Sequence, residues 1–125
     1  MTEELARDGR LVTFLELPAM PKPRARVTRR GTYMPKEYRE WKEDVGWSVR
    51  TAMRQQDIDP LTSRVYVKLD FSKNGFLLVL EESSLKRFGN ADIDNLAGGV
   101  LDALQDADAI ANDRDVVKLE TMFVT

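Results

Sequence analysis

The segment Asp92-Ile93-Asp94-Asn95-Leu96 sets two carboxylates two residues apart where an apolar-patterned helix begins, and a third, Asp113, precedes a later hydrophobic run. Two such side chains at a helix start can point into one cavity. A helix of about a dozen residues and a return loop can bring Asp113 back beside Asp94. Three converging carboxylates repel one another, and at least one takes up a proton. A divalent cation removes that repulsion. It can then polarise a phosphate, lower the pKa of an attacking water and neutralise a leaving oxygen. A plain capping motif has the same look, because Asp-x-Asp-Asn before an apolar helix also suits an N-terminus. A calcium loop over Asp106–Asp113 fits poorly: Ile110 takes a ligand position and Ala111 stands where the EF-hand glycine belongs.

The absences narrow the chemistry further. The chain has 125 residues with no Cys and no His. Thiolate or imidazole zinc sites and Ser-His-Asp or Cys-His catalysis are therefore excluded. A metal, if used, is a hard ion held by oxygen: Mg²⁺, Mn²⁺ or Ca²⁺. The polar start MTEELARDGR lacks a signal-peptide core, and no apolar run approaches a membrane span, so a cytoplasmic protein is expected. Net charge is −2, but its distribution is uneven. Pro21 to Lys36 carries six basic residues and no acidic one, whereas Glu81 to Thr125 carries ten acidic against four basic. This asymmetry fits a basic binding surface beside an acidic metal site, and equally two ordinary solvated faces.

The elements that must position these residues are readable from period and punctuation. Leu11 to Leu17 reads as a strand. Pro18, Pro21 and Pro23 enforce an extended segment, and Arg30-Gly31-Thr32 reads as a turn. Pro35 opens a helix over Lys36 to about Gln56, with Tyr38, Trp41, Val45, Val49, Ala52 and Met53 as its apolar stripe. Trp41 and Trp47 read together as core or dimer contacts rather than base stackers. Arg64 to Phe71 and Phe76 to Leu80 read as a hairpin around Lys73-Asn74-Gly75. Asp94 caps a second helix to about Gln105 with Leu96, Val100, Leu101 and Leu104 on one side; an acidic loop follows, then a last strand, Asp115 to Val124. The expected fold is α+β: one domain over residues 1–125, a mixed sheet with two helices, in the order β-loop-α-β-β-α-β.

At this level of detail the chain resembles the RusA-type Holliday junction resolvases, common in phages and prophages. That family carries Asp-x-Asp-Asn-Leu-x-Lys-x-x-Leu-Asp-Ala-Leu, then a loop ending in Asp-Asp-x-x-Val. Here the matching residues are Asp92-Ile-Asp94-Asn95-Leu96-Ala-Gly98-Gly-Val-Leu101-Asp102-Ala103-Leu104, then Asn112-Asp113-Arg-Asp115-Val116. Pro21-Lys22-Pro23-Arg24-Ala25-Arg26, Thr32-Tyr33-Met34-Pro35, and a helix with Tyr38 and Trp41 resemble the family's basic segment. The likeness runs from about Leu11 to Val117.

The resemblance implies a magnesium-dependent endodeoxyribonuclease, with Mn²⁺ as an alternative metal, acting on four-way or branched DNA in recombination, repair or phage replication. It implies that Asp92, Asp94 and Asp113 are the catalytic metal ligands and that the protein works as a homodimer. A junction has approximate two-fold symmetry, so paired cuts need two sites related by a two-fold axis. Lys22, Arg24, Arg26, Arg29, Arg30 and Lys36 are expected at phosphates, and Tyr33 at an unpaired base. Two positions depart from the family: its helix lysine is Gly98 here, and the first Asp of its later pair is Asn112. Lys86, Arg87 or Lys118 could supply the missing charge. The departures keep two competitors in play: a junction-binding module that does not cut, and an acidic α+β domain with another role.

Overall fold

Leu11, Thr13 and Leu15 share one face of an extended segment, with both leucines buried, while Val12 and Phe14 share the other, Val12 buried and Phe14 exposed. In the computed structural model, which describes residues 9–23, 26–62, 64–86 and 89–123, Leu11–Leu15 is strand β1. Strands β2 (Arg26–Thr28) and β3 (Gly31–Tyr33) follow, then helix α1 (Lys36–Gln55), strands β4 (Val65–Ser72) and β5 (Gly75–Glu82), helix α2 (Ile93–Asp106) and a 3₁₀ turn (Asp113–Asp115). The class is α+β, as expected. The chain divides into two compact units, Met1–Ser83 and Ser84–Thr125.

In the first unit β1, β5 and β4 form an antiparallel sheet in that order. Leu11 and Leu15 of β1 pair with Leu80 and Phe76 of β5. Leu11, Leu15, Phe76, Leu78 and Ala52 make the core, and Leu80 of β5 and Trp41, Val45, Val49 and Met53 of α1 pack against it. The helix lies over β1. The Gln56 side chain, just past its end, accepts a hydrogen bond from Val12 N (3.3 Å) and donates one to Val12 O (2.8 Å). It thereby occupies part of the open edge of β1 as a neighbouring strand would. The Trp41 indole Nε1 donates to Pro18 O at 2.9 Å and ties the Pro-rich segment to α1.

Register at the β4–β5 hairpin pairs Ser72 with Gly75, so Lys73-Asn74 forms the two-residue turn and Gly75 belongs to the strand. Glycine is required there by contact: a Cβ would lie 2.2 Å from Leu15 O and 2.8 Å from the Phe14 ring.

Two expectations need correction. Among the described residues the sheet is wholly antiparallel rather than mixed. Residues 116–123, expected as the last strand, carry no regular secondary structure. Their apolar side chains Val117, Leu119 and Met122 are exposed. Alternation marks a surface that could be half buried, but a strand forms only where a ladder partner takes its N–H and C=O groups. The third difference is an addition. The segment after the prolines is not simply extended: β2 and β3 pair Arg26 with Tyr33 and Thr28 with Gly31, leaving Arg29-Arg30 as the turn. Gly31 adopts φ +122°, which a side chain rarely permits.

Candidate metal centre

Helix α2 starts where the carboxylate pair requires it to. Asp92 is its N-cap residue, with extended backbone (φ −72°, ψ 147°), and Asp94 lies in the first turn. The Asp92 side chain makes no capping hydrogen bond. That weakens the plain-cap explanation, since a capping Asp accepts from the N–H groups of the first turn. Its backbone carbonyl accepts from Leu96 N at 3.1 Å. Asp92 and Asp94 are both exposed, and negative charge at a helix N-terminus is favourable there through the helix dipole.

The far end of α2 is built differently. Ala107 N donates to Ala103 O and Ala109 N to Leu104 O, closing the last turn. Asp108 adopts φ 58°, the left-handed position where glycine more often stands. Asn112 then caps the 3₁₀ turn: its side-chain oxygen accepts from Arg114 N at 3.0 Å. An aspartate oxygen would accept that bond equally, so the departure at Asn112 preserves the local role.

Asp113 opens the 3₁₀ turn, and its backbone N–H donates to the Gln105 side-chain oxygen. Gln105 is eleven residues after Asp94, so this bond anchors Asp113 about 16 Å along the helix from the carboxylate pair. The structure thus brings Asp92 and Asp94 together at one helix end and Asp113 to the other. Among the described residues no three acidic side chains are grouped closely enough to hold a metal ion. The donor set itself suits a hard cation, being wholly carboxylate oxygen. Sequence reasoning missed Gln105 because nothing in its spacing marks it as a partner of Asp113.

Gly98 lies one turn after Asp94 on the same face. Among the described residues of one copy, a Cβ at Gly98 or at Gly99 would meet nothing within 4 Å. Of the candidate replacement cations, Lys118 is ion-paired with Glu120 at 3.1 Å, Lys86 is exposed, and Arg87 falls outside the described residues.

The expected DNA-contacting residues sit in the first unit. Arg29 and Arg30 form the exposed turn of the β2–β3 hairpin, with exposed Val27 and Tyr33 on its strands. Lys22 is exposed, and Lys36 pairs with Glu40 at 3.7 Å. Arg24 lies outside the described residues, and of Arg26 only the backbone, in β2, is described. No described helix is long and apolar enough to cross a membrane.

Comparison with curated proteins and with solved structures yields no match. The family model for endodeoxyribonuclease RusA matches residues 16–125, across both units and through both acidic motifs. With nearly its whole length matched, the chain belongs to the RusA endodeoxyribonuclease family.

Proposed function

We propose that this chain is a divalent-metal-dependent endonuclease that cuts four-way and branched DNA, as a homodimer, in recombination, repair or phage replication. The observation that carries the reading is the family match over residues 16–125, which contains the Asp92-Ile-Asp94-Asn95 helix start and the Asn112-Asp113 turn.

Asp92, Asp94 and Asp113 would hold the metal, Mg²⁺ or Mn²⁺. A bound cation would supply charge neutralisation at the scissile phosphate and a more acidic attacking water. Asp92 and Asp94 contribute from the start of α2, where the Asp92 carboxylate is not engaged in capping. Asp113 contributes from the 3₁₀ turn, where its backbone N–H donates to the Gln105 side chain. Lys22, Arg24, Arg26, Arg29, Arg30 and Lys36 neutralise DNA phosphates, and Tyr33 stacks on a base at the branch point. The hairpin of β2 and β3 presents two of these cations at its turn. Such contacts fix position and orientation and carry little base information, so recognition follows shape.

Two observations favour a second reading. Gly98 leaves open space where the family has a lysine, and the three carboxylates stand apart. A module that binds junctions without cutting fits both facts. A synthetic four-way junction, incubated with and without Mg²⁺, separates the readings. Symmetric nicks that require the metal support the nuclease. A band shift without nicks supports the module, and the absence of both nicks and shift removes both readings.

A further inference from the structure

Helix α1 has a second face. Trp41, Val45, Val49 and Met53 pack against the core. At about 100° per residue, Glu40, Glu43, Trp47, Arg50 and Arg54 fall on the opposite stripe. All five are exposed, and Trp47 keeps 62% of its surface open. The Arg50 guanidinium lies 5.7 Å from the Trp47 ring centroid. A tryptophan with flanking arginines, outside any core, is the composition of an interface anchor.

The charges along this stripe are ordered. From Glu40 to Arg54, acidic residues precede Trp47 on this stripe and basic residues follow it. Glu43 lies about 6 Å before it along the axis and Arg50 about 4.5 Å after; Glu40 and Arg54 each lie about 10.5 Å away. A two-fold axis through Trp47 therefore sets Glu43 against Arg50 of a second copy and Glu40 against its Arg54, each pair twice, with the two Trp47 rings meeting at the centre. A parallel arrangement would set like charges together. We propose that this face of α1 is the homodimer contact, formed antiparallel with a second copy of the chain. The inference rests on the homodimer reading above and names the surface that makes it. Glu40 already pairs with Lys36 of its own helix, so Glu43–Arg50 is the pair on which orientation depends most.

Sedimentation velocity on the full chain, at micromolar concentration and free of DNA, tests the contact. The wild type sediments as twice its 14.3 kDa mass. Glu43→Arg alone and Arg50→Glu alone each oppose like charges and shift the protein to monomer, while the double variant restores the dimer. Trp47→Ala weakens association at least about tenfold. Circular dichroism establishes that each variant is folded. A monomeric wild type, single reversals that leave the dimer intact, or a folded double variant that stays monomeric would overturn the proposal. So would a Trp47→Ala variant that dimerises normally but binds junction DNA poorly, since the face would then be a stacking platform for bases. Because no DNA enters the mass measurement, a missing cleavage activity leaves its result intact, and the reverse also holds.

Discussion

Replacing Gly98 with lysine probes the site where this chain departs from its family. The position is one helical turn after Asp94, and a Cβ built there meets nothing within 4 Å. The substitution therefore introduces no clash. Removing a helix-interior glycine contributes about 1 kcal/mol of stability, through lower unfolded-state entropy and better helix propensity. In a chain of 125 residues that is a rise of a few degrees in Tm. Gly98→Ala shares this gain and carries no charge, so it isolates the effect of the ammonium. A lysine at 98 that reaches the phosphate would stabilise developing negative charge. Donors of this kind contribute about 2.7–4 kcal/mol in preorganised sites, and a gain of roughly tenfold to a thousandfold in cleavage is expected. Single-turnover cleavage of a mobile four-way junction at saturating protein reads the rate without interference from binding. The expected order is lysine far above alanine, with alanine equal to wild type. A folded lysine variant no faster than the alanine variant would refute the reasoning and assign the missing charge to another residue.

Other consequences are open to direct measurement. Arg29→Ala combined with Arg30→Ala removes the two phosphate contacts proposed for the hairpin turn and should flatten the slope of log K against log salt by about 1.8 on duplex arms. An unchanged slope would mean that the turn does not touch the backbone. Gly75→Ala forces a Cβ into Leu15 O and the Phe14 ring. Urea unfolding should show a loss of about 1–3 kcal/mol or more, and a loss below about 0.5 kcal/mol would contradict the close approach. Asp102→Asn, on the exposed surface of α2, should leave cleavage within about twofold of wild type.

Much of this was legible in residue spacing. The α1 stripe of Trp41, Val45, Val49 and Met53 predicts both the helix and its buried face, because 3.6-residue periodicity is itself a record of one-sided burial. The same arithmetic separates Trp47 from Trp41. Six residues apart, they stand about 120° from one another around the helix, so grouping them as equivalent aromatics conflicts with helical phase. The β2–β3 hairpin was hidden because three-residue strands show no alternation and Arg29-Arg30 is not a characteristic turn pair. The expected last strand had alternation without a partner, and pairing is a property of the whole fold rather than of one segment. At the candidate site, Asp92, Asp94 and Asp113 are singled out by motif spacing together with the family resemblance. Their separation is not legible there, because it depends on how the loop after α2 folds and on the bond from Asp113 N to Gln105.

The central claim, that these carboxylates form a cleavage site on a DNA-binding protein, is tested most directly by Asp94→Asn. The exchange keeps the shape of the side chain and removes its charge. Binding and cleavage of one labelled four-way junction should be measured on the same preparation, binding in Ca²⁺ and cleavage in Mg²⁺. The account predicts cleavage reduced to background, with junction affinity equal to wild type or tighter because a negative charge near phosphate is gone. Full cleavage by the folded Asp94→Asn protein would contradict it.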